Sequence, residues 1–275
     1  MRRKFTQQEV NSVTKLYNSG KSQKEIAAEL NCSQVSISNI LRRANIPTRV
    51  GKKIIYTDIN TSFFSKINSE ASAYFLGLLY ADGNISKNHH VMTLKLKSSD
   101  QYILEKFRDI ISPSSPIKIS KVESPGAVPY EYAYFRINQK EICEQLISHG
   151  CFPNKSLILD FPKTVPGKLI RHFLRGYSDG DGTIYKNNFK NKRTVNPIWK
   201  IISTKQFCQT VASILKEQLD VNCYQSLSRP KTNQTTTILS VSGNLQVRKV
   251  LDWLYQDSTI YLPRKYDKYL EFKNN

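Results

Sequence analysis

Two short stretches of this 275-residue chain place a carboxylate and a glycine at the end of the same pattern. Phe75-Leu76-Gly77-Leu78-Leu79-Tyr80-Ala81-Asp82-Gly83 and Leu174-Arg175-Gly176-Tyr177-Ser178-Asp179-Gly180-Asp181-Gly182 superimpose with Asp82 on Asp181. Gly77 and Ala81, like Gly176 and Gly180, are four residues apart, so small residues line one helix face and let two backbones pack closely. Close packing would bring the helix ends together and set Asp82 beside Asp181. Two carboxylates there face the negative ends of two helix dipoles and repel one another. Divalent cations would offset that cost, and oxygen donors point to Mg²⁺. Such a pair could lower the pKa of a bound water and hydrolyse a phosphodiester. Gly83 and Gly182 read as positions that end each helix in a left-handed conformation, with backbones able to approach the metal or a phosphate.

The elements around these acids repeat in the same order. Ser69–Ala81 reads as a helix. Val91–Lys97 alternates strictly, burying Met92, Leu94 and Leu96 and turning Lys95 and Lys97 outward. A helical segment runs from Asp100 to Ile111. Tyr130–Asn138 alternates again, with Tyr132, Tyr134 and Arg136 outward, and Glu141–His149 is helical. The second half follows suit: helix 168–180, strand 198–203, helix 206–219, strand 236–242 and helix 245–255. Lys97-Ser98-Ser99 corresponds by sequence to Ile202-Ser203-Thr204, and Phe152-Pro153-Asn154-Lys155 to Leu262-Pro263-Arg264-Lys265. A basic loop, 185–196, interrupts the second copy with Lys186, Lys190, Lys192 and Arg193. Opposite the first sheet's charged strands, Gln234, Thr235, Thr236 and Thr237 are uncharged, so the two halves should recognise different sequences.

The first 48 residues have another character. Thr6 opens a helix carrying Val10, Val13, Leu16 and Tyr17 on one face. Ser22-Gln23-Lys24-Glu25 is a capping box. Ser33 can cap a third helix that turns Val35, Ile37, Ile40 and Leu41 inward. Gln34, Ser36, Ser38, Asn39 and Arg42 would then lie on its outer face, where Gln and Asn can read adenine and Arg guanine. Residues 49–68 read as a basic arm, with Arg49, Lys52 and Lys53 suited to a minor groove.

Charge agrees with a polyanionic partner: 41 Lys and Arg stand against 22 Asp and Glu, a formal net charge of +19. Five scattered cysteines without a Cys-x-x-Cys spacing argue against disulfides and structural zinc, and fit a reducing interior. No apolar run is long enough for a membrane span, and the first residues lack a signal-peptide core. The expectation is an intracellular, cytoplasmic protein.

The paired motifs resemble those of the LAGLIDADG homing endonucleases in their single-chain form, and residues 1–48 resemble a helix-turn-helix module. The resemblance implies an α+β fold: a duplicated αββαββα unit with pseudo-two-fold symmetry and two saddle-shaped antiparallel sheets. The repeats would span 69–165 and 166–275. It further implies a monomer that cuts double-stranded DNA at a long asymmetric site, leaving 3′ overhangs. Asp82 and Asp181 would be essential ligands of two or three Mg²⁺ ions, with Mn²⁺ able to substitute. Lys155 and Lys265 match lysines that approach the active-site waters or phosphate, and Ser99 and Thr204 fall near a polar supporting position. Such proteins are carried by mobile introns or stand alone. The same scaffold also serves non-cleaving transcriptional regulators and intron maturases, and retention of both acids favours cleavage.

Overall fold

A computed structural model describes residues 5–48, 56–123, 126, 128–187, 196–228 and 236–273. The chain divides into two compact units, Met1–Ile55 and Tyr56–Asn275.

The smaller unit is three helices, α1 (Gln7–Asn18), α2 (Gln23–Glu29) and α3 (Gln34–Arg43). Thr6 and Ser22 each form a full capping box, with Glu9 and Glu25, and Ser33 caps α3. Val13, Tyr17, Ile26, Ala27, Ile37, Ile40 and Leu41 form its core. Val35 does not join them: it is 67% exposed. Two residues from Ile37 is about 200° around a helix, so Val35 and Ile37 cannot share a face.

The larger unit is built from two copies of one motif. The first runs α4 (Glu70–Asp82), β1 (Gly83–Ile85), β2 (Val91–Lys97), α5 (Gln101–Ile111), β3 (Ile117–Val122), β4 (Tyr130–Asn138) and α6 (Lys140–Ser148). The second runs α7 (Ile170–Asp181), β5 (Thr183–Asn187), β6 (Asn196–Ser203), α8 (Lys205–Leu219), β7 (Tyr224–Leu227), β8 (Thr237–Ser242) and α9 (Asn244–Tyr255), followed by α10 (Pro263–Lys273). Each copy makes a four-stranded antiparallel sheet, ordered β1-β2-β4-β3 and β5-β6-β8-β7. This is the expected αββαββα duplication. Alternation buries Met92, Leu94, Leu96, Ala133, Phe135 and Ile137 in one copy, and Trp199, Ile201, Leu239 and Val241 in the other. A single apolar core runs through both copies, with α4 and α7 packed together within it.

Residues 56–68 depart from the expected arm, because they belong to this core. Phe64 and Ile67 are buried, Asn60 N–H donates to Ile111, and Asp58 accepts from Ser112 and Ser114.

Register corrects one sequence correspondence. Thr93 lies opposite Asn84 and Lys200 opposite Thr183, the residues that follow Gly83 and Gly182. Met92 pairs with Ile137, and Trp199 with Val241. The counterpart of Lys95 is therefore Ile202, and that of Lys97 is Thr204. The Lys-Ser-Ser anchor was two residues out because the sequence similarity lay in the turn rather than in the strand pairing.

Candidate active site at the paired helix ends

Glycine lets α4 and α7 touch backbone to backbone. A Cβ on Gly77 would lie 2.0 Å from the Phe173 carbonyl oxygen, and one on Gly176 would lie 2.0 Å from that of Tyr74. The two contacts are equivalent across the pseudo-two-fold, since Tyr74 and Phe173 occupy the same place in the two motifs. Near the helix ends, a Cβ on Gly180 would meet the Ala81 Cβ at 2.3 Å and Asp82 Oδ2 at 2.8 Å. The Asp82 carboxylate therefore rests against the bare backbone of α7, as the spacing of small residues requires.

Both acids are held against their preference. Burial raises the pKa of Asp82 to about 6, the nearby Asp181 charge adds to the rise, and Lys265, Lys155 and Arg264 oppose it. Asp181, more open to solvent, is also raised by desolvation, with Lys155 and Lys265 pulling the other way. Asp82 borders an open cavity of about 460 Å³ lined also by Gly180, Lys95, Lys97, Tyr132, Asp100 and Arg264.

Lys155 and Lys265 are both buried and occupy matching places. The Lys155 ammonium donates to the Gly83 carbonyl. That of Lys265 donates to the backbone carbonyls of Gly182 and Asp179, each at 2.7 Å, and to that of Ser178. Burial lowers the Lys265 pKa to about 8. Each lysine thus anchors the chain where a helix hands over to its first strand.

Gly83 and Gly182 are not left-handed caps. Their backbones are extended (φ −77°, ψ 148° and φ −87°, ψ 162°), because each helix runs straight into a strand. Space is what requires glycine here: a Cβ would lie 2.5 Å from the Leu79 oxygen or 2.4 Å from the Ser178 oxygen.

Among the described residues no group of three or more His, Cys, Asp or Glu is arranged to hold a metal. The Asp82 carboxylate beside an open, lysine-lined cavity, with the Asp181 charge close to it, nevertheless fits Mg²⁺, which keeps several waters and takes only one or two protein carboxylates with substrate phosphates. His89 and His90 are exposed, His149 is tied to Thr164 and Phe64, and His172 lies against Arg175.

Behind the acids lies a network that spacing did not reveal. Asp179 is fully buried and accepts from Tyr74 (2.8 Å), Tyr255 (2.6 Å) and the Leu262 N–H (2.8 Å). Buried Arg175 donates to Glu70 (2.5 Å), Leu254 (2.8 Å) and Ile260 (2.9 Å). Asp179 occupies the position of Tyr80 in the first motif, and its partners come from distant segments, so no local signal marked it.

The first sheet gathers the basic residues expected of it. Lys95 is opposite Tyr134, Lys97 opposite Tyr132, and Thr93 opposite Arg136, all on the open face. Lys95 lies 3.6 Å from the centre of the Tyr132 ring. Strand β3, which the sequence reading missed, adds Lys118 opposite Tyr134. In the second sheet Lys186 shares the parity of buried Ile184, and its ammonium lies 5.1 Å from the Phe272 ring centre, off the open face. Thr237 is buried as well. On α3, Gln34 and Arg42 are exposed, Arg42 donates to Asn39 (2.7 Å), Ser36 is hydrogen-bonded to Ser33, and Ser38 is half-buried. Arg49, Lys52, Lys53, Lys190, Lys192, Arg193, Gln234 and Thr235 lie outside the described residues.

Comparison with known proteins matches residues 1–44 to a helix-turn-helix domain and residues 168–252 to a LAGLIDADG-like domain. An uncharacterized protein of Methanocaldococcus jannaschii is 28% identical over 194 residues, 68% of this chain and 64% of its own length. DNA-directed RNA polymerase subunit Rpo1C of the same organism is 23% identical over 157 residues, 54% of this chain and 18% of its own. The chain therefore spans less than two thirds of either curated relative. Among solved structures, the homing endonuclease I-WcaI bound to its DNA recognition sequence has the same fold, with a TM-score of 0.53. The likeness covers 74% of this chain and 87% of that one at 12% identity. No helix among the described residues is long and apolar enough to cross a membrane.

Proposed function

We propose that this chain, which carries an amino-terminal helix-turn-helix domain and a LAGLIDADG-like domain, is a site-specific double-strand DNA endonuclease. The observation that carries the reading is the pair Asp82 and Asp181, brought to adjacent helix ends by backbone-on-backbone packing although burial opposes the charge of both and the Asp181 charge opposes that of Asp82. A scaffold has no need of such a pair, and a site for a divalent cation does. Asp82 and Asp181 would hold Mg²⁺, which when bound activates water and stabilises the leaving 3′ oxygen. Lys155 and Lys265 fix the backbone that carries the acids and place positive charge beside the phosphate. Lys95, Lys97 and Arg136 hold the duplex over the cavity. Cleavage at two nearby phosphates across the minor groove would leave 3′ overhangs.

A second reading, a DNA-binding regulator that does not cut, draws on the lysines. The Gly83 and Gly182 carbonyls, which could have faced a cation, already accept from Lys155 and Lys265. One experiment separates the two: incubation with the gene's own flanking DNA in Mg²⁺ and, in parallel, in Ca²⁺. The endonuclease produces double-strand breaks in Mg²⁺ that Asp82→Asn and Asp181→Asn abolish while binding persists. Tight binding by the intact protein without any break establishes the regulator.

A further inference from the structure

The two sheets share one fold, but their open faces differ in a way that specifies what each can read. Their rows can be compared one by one because the strand registers correspond. In the central row the first sheet presents Lys95, Tyr134 and Lys118 side by side. The matching row of the second sheet presents Ile202, Ile238 and Ser226. In the next row, Arg136 beside Thr93 is replaced by Ser240 beside Lys200. Ile202 is 39% exposed although the chain has an apolar core available to it, and Ile238 is half-buried beside it.

We propose that the two sheets read chemically opposite half-sites, the first a guanine-rich one through Lys95, Lys118 and Arg136, the second a thymine-rich one through Ile202 and Ile238. The inference deepens the DNA-cleavage reading and rests on it. In the major groove guanine offers two acceptors, O6 and N7, which suit lysine and arginine, whereas thymine offers a methyl group that suits an apolar side chain. The exposed part of Ile202 and Ile238 gains nothing from water or from phosphate. Against a thymine methyl it buries surface that is otherwise wet. The occupant is fixed by charge: the chain carries +19, and the equivalent face of the sister sheet is cationic, so one duplex lying over both sheets would meet donors first and methyl-sized apolar surface second. Lys200 remains on the second sheet to hold a phosphate.

The test is selection of bound duplexes from a randomised DNA library by the full chain in Ca²⁺, repeated with single variants. Lys95→Ala should lower guanine preference in one flank about fivefold or more. Ile202→Ala should lower thymine preference about fourfold in the opposite flank, the scale of one lost methylene contact. Ile202→Lys combined with Ile238→Tyr installs the first sheet's row and should turn those positions from thymine to guanine. Positions that respond to neither set belong to the amino-terminal unit. Guanine preference in both flanks overturns the proposal, as does an unchanged selection by Ile202 variants whose thermal melting matches the parent. If the parent selects no duplex sequence at all, the DNA-cleavage reading falls, and this inference with it. Selection that is sequence-specific but lacks the split removes this inference alone.

Discussion

Arg264 of the second copy clasps Asp100 of the first, its Nε donating to both carboxylate oxygens and its Nη2 to one of them, each at 3.1 Å. Asp100 is buried and the arginine half-exposed, and both border the cavity beside Asp82. Asn154, which stands where Arg264 does in the second copy, carries no charge, so the first copy has no arginine to make such a clasp. Removing the guanidinium leaves a buried carboxylate without its charge partner. Arg264→Ala should destabilise the protein by about 1–2 kcal/mol, less than for a fully buried pair because half the arginine stays in water. Urea unfolding checks this, and adding Asp100→Asn should recover most of the loss.

The glycines under the helix crossing are predicted to be far less tolerant. Gly77→Ala or Gly176→Ala pushes a methyl group into a backbone carbonyl, which cannot swing aside as a side chain would. The cost should be about 3 kcal/mol, roughly 6–12 °C in Tm for a domain of this size. Gly167→Ala, where a Cβ meets nothing within 4 Å, is the control and should melt within about 2 °C of the parent. Melting curves of the three variants decide the matter.

Protonation supplies a third prediction. The folded pKa of Asp82 lies near 6, above its ordinary value of 3.8, so the folded state binds the proton more tightly. Stability from this group is therefore lost as pH rises from about 4 to about 6. Asp82→Asn should stabilise the protein above pH 6 and lose that advantage near pH 4. Mg²⁺ or Ca²⁺ should raise the parent's Tm at neutral pH and leave Asp82→Asn nearly unmoved, because a ligand stabilises only the state that binds it. Calorimetry across pH, with and without the cation, reads both effects.

Beneath the acids, Tyr74→Phe and Tyr255→Phe should each cost about 1.5–3 kcal/mol, since each removes a hydrogen bond to the buried Asp179 carboxyl group. The double variant should cost less than the sum, because one carboxyl group serves both hydroxyls. Chemical denaturation of the cycle tests this.

Much of the site was legible because it was written twice. Gly77 and Gly176, Asp82 and Asp181, and Lys155 and Lys265 could each be found from its twin. What lacked a twin stayed hidden. Asp179 stands where the first copy has Tyr80, and its role appears only when Tyr74, Tyr255 and Leu262 converge from afar. Edge strand β3 was missed because its exposed and half-buried positions do not alternate cleanly, with Ile119 59% exposed. Val35 is different: helical geometry alone excluded it from the face of Ile37.

The buried polar links between α4 and α7 also decide what each copy can pair with. Glu70 meets Arg175 and Tyr74 meets Asp179, whereas the positions equivalent to Arg175 and Asp179 in the first copy are Leu76 and Tyr80. Two first halves brought together would strand both glutamates, and two second halves would bury two arginines lacking that acid. Each half has become a mate for the other alone, so a chain cut between α6 and α7 would reassemble only from two unlike halves.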